Sequence, residues 1–174
     1  NEMTKERKPQ ARPRRVYRKT GGWSNKKLVD QLIPESELPD YDFSDPTKLN
    51  KYEKEYYRYF RKVRSMYPDD YKFIIKQKDP QNIEGVTVNA YVYKSGKDEV
   101  TLVFPKIKNK KRQMFAVHET CHVKFGHQDP GLYGGNLHPY TKELEVEICS
   151  RNWDQGKWRY GRSISDIYNN YNYD

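Results

Sequence analysis

The most constraining feature of this chain is the pattern H-E-x-x-H, which occupies residues 118 to 122. On a helix, residues four apart lie on one face, so His118 and His122 can present two imidazole nitrogens to a single metal ion. Glu119 then projects beside the metal, which suits a carboxylate that takes a proton from an activated water instead of ligating. Apolar residues at spacings of three and four predict the helix itself, and Gly126 is a natural stop after it.

Two imidazoles leave a catalytic zinc one protein ligand short, so another part of the chain must supply a third. The next helical stretch, residues 140 to 150, carries Glu143 and Glu147 four positions apart on one face, whereas Glu145 points away from both. Leu144, Ile148 and Cys149 are expected on its buried side. Two carboxylates on one face suit one metal ligand and one acceptor for the other N–H of a ligating histidine.

These residues resemble a known family. QMFAVHETCHVKFGH followed by ELEVEICS is similar to the ImmA/IrrE-type metallopeptidase domain, and to the related domain of ArdC-type antirestriction proteins of phages, mobile elements and bacteria. Those domains have a short strand, a helix with H-E-x-x-H that often continues to G-H, and a second helix with E-x-x-A-(N/D/E). The resemblance covers roughly residues 86 to 153. It implies His118 and His122 as zinc ligands, Glu119 as general base, Glu143 as third ligand and Glu147 as the acidic position behind the ligands.

His138 is a rival third ligand. Its surroundings, HPYTKEL, loosely resemble the third-ligand region of SprT-like proteases, which act on proteins crosslinked to DNA, but Pro139 stands where those proteins have glycine. The chain also departs from the ImmA/IrrE-type pattern at Val146, Cys149 and Ser150, where alanine, an aromatic residue and alanine are usual. The carboxylate on the following helix is favoured over the histidine, and both assignments stay open.

The positive charge of the chain is concentrated at its beginning. Residues 1 to 28 hold ten Lys or Arg against two acidic residues, which is +8 of the net +9. An arm of this composition should be disordered alone and should dock electrostatically on nucleic acid or an acidic partner. A second basic cluster lies at the start of the H-E-x-x-H helix and consists of Lys106, Lys108, Lys110, Lys111 and Arg112. Lysines there oppose the helix dipole, which indicates a partner surface. The candidate nucleic-acid contacts are Arg12, Arg14, Arg15, Arg18, Lys19, Lys108, Lys110, Lys111 and Arg112.

The remaining elements are predicted from periodicity. A linker over residues 29–45 leads to a helix from Pro46 to about Met66, started by Ser44 or Asp45. Residues 72 to 76 form a short strand, and residues 86 to 92 form a hairpin with residues 100 to 104 around a turn at 95 to 98. The edge of that hairpin is a candidate surface for pairing with an extended substrate. The helix stripe expected in the core is Leu49, Tyr52, Tyr56, Phe60 and Val63.

The loop around residues 127 to 140 carries three further candidates, His127, His138 and Tyr140. They can contact substrate or stabilise an oxyanion, or they can be solvent-exposed loop residues, and the second interpretation is favoured. Cys121 and Cys149 are expected to be small packing residues and not a disulfide, which indicates a reducing compartment. No apolar run is long enough to span a membrane.

Together these features predict an α+β, gluzincin-like core: a small sheet, the H-E-x-x-H helix and a second Glu-bearing helix. A disordered basic arm (1–28), a linker (29–45) and a zinc metallopeptidase-like domain (46–174) make up the chain. The expected function is zinc-dependent hydrolysis of a protein substrate associated with nucleic acid or with a DNA-bound regulator. The expected location is intracellular, cytoplasmic or nucleoid-associated, and by resemblance phage-encoded. The alternatives are a non-catalytic, zinc-stabilised nucleic-acid-binding or assembly protein and a SprT-like protease.

Overall fold

A computed structural model of the chain describes residues 35–83 and 85–155. These residues form an α+β fold of three helices and a small mixed sheet, as predicted. The basic arm, with Arg12, Arg14, Arg15, Arg18 and Lys19, lies outside the described residues. In the described part, every helix falls short of the length and apolar character needed to cross a membrane.

The first helix, α1, runs over Lys51–Arg64 and begins later than the sequence predicts. Asp45 caps only a short 3-10 turn, Pro46–Lys48. The helix itself starts at a capping box, in which the Asn50 side chain accepts the N–H of Glu53 and the Glu53 carboxylate accepts the N–H of Asn50, each at 2.9 Å. The predicted core stripe is confirmed, and its buried members are Tyr56, Phe60 and Val63.

The sheet has three strands, with β5 (Glu99–Phe104) at its centre. β1 (Lys72–Gln77) pairs with it in parallel, and β4 (Tyr91–Gly96) pairs with it antiparallel. The predicted hairpin is therefore correct only for its second half. β3 (Val86–Val88) pairs instead with β2 (Gln81–Ile83) in a separate ribbon. The reason is local, because Gly85 adopts a φ of 83° that permits a tight turn directly before β3.

Two further helices complete the fold, α2 (Lys110–Lys124) and α3 (Pro139–Asn152). α2 packs against β4 and β5 and also contacts α1 and α3, so the H-E-x-x-H helix lies at the centre of the described part of the fold. It ends as predicted, since Gly126 takes a φ of 69° just past its C-terminus. Aromatic side chains fill much of the space between α1 and the sheet, among them Tyr41, Phe43, Tyr56, Phe60, Phe73 and Phe104.

A disulfide joins α2 to α3, contrary to the expectation of two separate thiols. Cys121 and Cys149 lie on facing, fully buried surfaces with their Cα atoms 6.1 Å apart, a separation that a disulfide spans without backbone movement. The Tyr59 hydroxyl contacts both sulfur atoms, at 3.4 and 3.0 Å. Because the two cysteines are paired, they give no indication of a reducing compartment.

Candidate metal centre

Three side chains from the two disulfide-linked helices converge on one point. α2 supplies His118 and His122, one helical turn apart, and α3 supplies Glu143. Their ligand atoms all lie within 4.8 Å of one another, and His122 Nε2 is 3.7 Å from a Glu143 carboxylate oxygen. The two imidazole rings meet at 74° with centroids 5.1 Å apart, so they converge without stacking. This group can hold a metal ion.

The donor set and spacing fit a small divalent cation. Two imidazole nitrogens and one carboxylate oxygen form a ligand set found in zinc enzymes, and donors about 2.0–2.1 Å from a tetrahedral ion lie about 3.3 Å apart. The 3.7 Å separation between His122 and Glu143 is close to that value. Three protein donors also leave a fourth position of a tetrahedral ion to an exchangeable ligand.

His127 is not the loop residue that the sequence suggests. It is buried, with only 6% of its surface exposed, and lies behind His122. Its Nδ1 is 3.0 Å from His122 Nδ1, and its Nε2 is 2.5 Å from Glu145 Oε1. Burial, with smaller contributions from the neighbouring His122 and Lys142, holds the pKa of His127 well below its ordinary value. The ring is therefore neutral, with one nitrogen that donates and one that accepts.

The carboxylate behind the ligands is Glu145, and the prediction for Glu147 is wrong. Glu147 is exposed and pairs with Arg151 at 2.9 Å, one turn further along α3. Glu145 is fully buried, and burial raises its pKa to about 8 although Lys124 and Lys142 lower it.

The face of α3 that turns inward explains why Glu145, and not Glu147, lies behind the ligands. Thr141, Glu145 and Cys149 are buried at intervals of four residues, whereas Leu144 and Ile148, expected to be buried, are only half-buried. The sequence does contain a signal for this orientation, because Glu145 lies one turn before the cysteine that faces α2. Acidic and apolar residues alternate along residues 143 to 147, E-L-E-V-E, so the sequence alone does not show which glutamate faces α2. Only the pairing of Cys149 with Cys121 shows it.

The rival ligand, His138, has a different position. Its Nδ1 accepts the N–H of Tyr140 at 3.0 Å, which makes it the N-cap of α3. It is exposed and lies outside the group formed by His118, His122 and Glu143. Tyr140 is 46% exposed at the first turn of the same helix.

Glu119 is buried beside its metal-binding neighbours in sequence, with 8% of its surface exposed. Tyr56 lies close enough to Glu119 to interact with it electrostatically. Burial raises the pKa of Tyr56, and Glu119 raises it to a smaller extent. Tyr56 in turn contacts the hydroxyl of Thr120 at 2.7 Å. The helix turn that carries Glu119 is therefore fixed against α1.

The second basic cluster is partly structural. Lys106 forms a 2.9 Å ion pair with the buried Glu53, and the ammonium of Lys110 lies over the ring of Trp153. Lys108 and Lys111 are exposed beside the start of α2, and Arg112 is half-buried.

Comparisons with protein-family models, with curated proteins and with solved structures return no match to this chain.

Proposed function

We propose that the protein is a zinc-dependent metallopeptidase that hydrolyses a protein substrate. The observation that carries the proposal is the convergence of His118, His122 and Glu143 within 4.8 Å, on two helices that also bring a buried Glu119 into the same region. This is the ligand set and general base that the resemblance to ImmA/IrrE-type domains implies. A purely structural zinc site would more often be closed by a fourth Cys or His ligand.

Zinc in such a site supplies Lewis acidity, which polarises a carbonyl group and lowers the pKa of water. The protein's own contribution to hydrolysis centres on Glu119. Its carboxylate takes the proton of the attacking water and passes it to the leaving amine. Because Glu119 follows His118 on a rigid helix, the base keeps a fixed position relative to the ligands.

The sheet offers a place for an extended substrate. Among the described residues, no strand pairs with the outer edge of β4, whereas the outer edge of β1 is covered by residues 39–41 through the bonds Tyr41 N–H to Ile75 O and Gln77 N–H to Pro39 O. β4 also packs against α2, the helix that carries the metal ligands. A peptide that adds to β4 by backbone pairing would therefore lie next to the H-E-x-x-H helix.

The test is cleavage of denatured casein and of a mixture of unstructured peptides by the zinc-loaded full chain, followed by mass spectrometry. Glu119→Gln is expected to lower the cleavage rate by about 100-fold or more, while its zinc content stays that of wild type. Glu147→Gln, a change at an exposed carboxylate on α3, is the control and should cleave at the wild-type rate. Equal cleavage by Glu119→Gln and wild type would contradict the proposed role of the base.

A second candidate is a non-catalytic, zinc-stabilised protein that binds nucleic acid. The observation that favours it is the outer face of α1, where five cationic residues are exposed and none forms an ion pair within the described residues. Both acidic residues of the helix turn inward, Glu53 to Lys106 and Glu55 to Gln113. The basic face of α1 consists of Lys51, Lys54, Arg58, Arg61 and Lys62.

The third possibility, a SprT-like protease, depends on His138 as a metal ligand. With His138 engaged as the cap of α3 and Glu143 in the ligand group, nothing in the geometry favours it over the ImmA/IrrE-type proposal.

A further inference from the structure

Behind the metal-binding group lies a buried chain of three side chains, Glu145, His127 and His122. The two contacts that form it are 2.5 Å and 3.0 Å long. We infer that His127 and Glu145 are positioning residues, which fix the ring and the tautomer of His122 so that its Nε2 lone pair faces the metal. The inference rests on the proposed metal site.

The direction of the hydrogen bonds follows from the donors and acceptors available. Only one proton fits between the two facing Nδ1 atoms, so one imidazole must donate and the other must accept. If His127 donates from Nε2 to Glu145 Oε1, its Nδ1 carries a lone pair and accepts the Nδ1–H of His122. The other nitrogen of His122, Nε2, is then unprotonated and lies 3.7 Å from Glu143. This is the tautomer that a metal ligand requires.

Glu145 can end this chain because its Oε1 accepts whether or not Oε2 carries a proton. Within the described residues, Oε2 is buried and has no hydrogen-bond partner, so the one strong contact of the side chain is the one to His127. An acidic residue on the inner face of a helix, with no hydrogen-bond partner but this histidine, is costly to bury even with the charges of Lys124 and Lys142 nearby. The cost is offset if the contact between Glu145 and His127 holds His122 in the orientation that a metal ligand needs.

The backbone around His127 is held as firmly as its ring. Its N–H donates to His122 O at 2.9 Å, and the ammonium of Lys142 donates to its carbonyl at 3.2 Å. The following loop closes on the end of α2 so tightly that a Cβ at Gly134 would overlap the carbonyl oxygen of Phe125. His127 therefore cannot turn away from His122 without opening this loop.

The experiment measures zinc affinity, not activity. The dissociation constant of zinc is determined by competition with a chromophoric chelator, on metal-free full chain of wild type, His127→Phe, Glu145→Leu and Glu145→Gln. We expect His127→Phe and Glu145→Leu to bind zinc about 10- to 100-fold more weakly. Glu145→Gln keeps an oxygen that can accept from His127 and should remain close to wild type. Glu147→Gln, on the exposed side of α3, is the matched control and should bind as wild type does.

A second measurement does not depend on the variants folding. In wild type labelled with 15N in its histidine rings, long-range 1H–15N correlation spectra identify which nitrogen of each ring is protonated. In the zinc-loaded protein we expect His122 to carry its proton on Nδ1 and to bind through Nε2.

Two results would overturn the inference alone: zinc affinity unchanged in His127→Phe, or zinc bound to Nδ1 of His122 in wild type. Wild type that binds no zinc would overturn the proposed function together with this inference. The two failures are therefore distinguishable.

Discussion

Two carboxyl groups of the described residues are fully buried, Glu53 under the start of α1 and Glu145 behind the metal-binding group. Glu53 is matched by several donors: the N–H of Asn50, the hydroxyl of Tyr41 and the ammonium of Lys106. The capping box is readable from the sequence, since Asn50 and Glu53 have the required spacing. The partners from outside the helix are not, because they depend on how the chain folds back.

Glu53 gives a pH-dependent prediction. Burial raises its pKa, but the hydrogen bonds from Asn50, Tyr41 and Lys106 outweigh that effect and hold the pKa below its ordinary value. A carboxyl group whose pKa is lower in the folded state stabilises the fold above its unfolded pKa, about 4.3. That contribution is lost as pH falls through the lowered folded value.

We therefore expect Glu53→Gln to lower the free energy of unfolding by about 2 kcal/mol at pH 7, and the difference from wild type to shrink as the pH falls below about 4. Urea denaturation at a series of pH values measures this difference in the free energy of unfolding. Glu147→Gln, which removes only a surface ion pair, is the control and should change the free energy of unfolding by less than about 0.5 kcal/mol at every pH. A constant difference between Glu53→Gln and wild type across this range would contradict the account.

At the scale of elements, the sequence predicts those with a strong periodic pattern and misses those that depend on partners. The stripe of α1, the helix α2 with its stop at Gly126, and the β4–β5 half of the hairpin follow from spacing alone. The inner face of α3 does not, because acidic and apolar residues alternate along residues 143 to 147 and no helical face stands out. Packing against α2 through Cys149 decides which carboxylate is buried.

The basic face of α1 is an element-level feature that tests the second candidate function. Cations that contact phosphates release counterions, so each contact removed lowers the slope of log affinity against log salt by about 0.9. If this face binds duplex DNA, Arg58→Gln/Lys62→Gln should flatten that slope by about 2. The measurement is fluorescence anisotropy of a labelled DNA duplex with the full chain at several salt concentrations.

The control for this experiment removes the same charge from another surface. Lys72 and Lys97 are exposed on and beside the sheet, so Lys72→Gln/Lys97→Gln has the same net charge as the α1 variant. It should keep the wild-type slope. Equal slopes for the two variants would show that α1 has no special part in binding and would leave only the general charge of the chain.

At the scale of the whole molecule, the arrangement of the sheet and the disulfide lie beyond sequence reasoning. β1 pairs in parallel with β5, although β2, β3 and β4 lie between them in the sequence. No local pattern encodes this long-range contact. The metal site also combines residues that the sequence could place with residues that only the fold brings together. His118 and His122 come from one helix and could be placed by spacing. Glu143 was favoured from the sequence over His138, but its place beside the histidines depends on the packing of two helices. The buried contacts of His127 and Glu145 emerged only from the fold.

The most direct test of the central claim, that these helices form a zinc site, is zinc content by elemental analysis of protein purified without added metal. The variants are His122→Ala, Glu143→Ala, His138→Ala and Glu119→Gln. We predict stoichiometric zinc in wild type, His138→Ala and Glu119→Gln, and its loss in His122→Ala and Glu143→Ala, because only the last two remove a member of the ligand group. Wild type that carries no zinc and cannot take it up, or zinc that survives Glu143→Ala but not His138→Ala, would contradict the account.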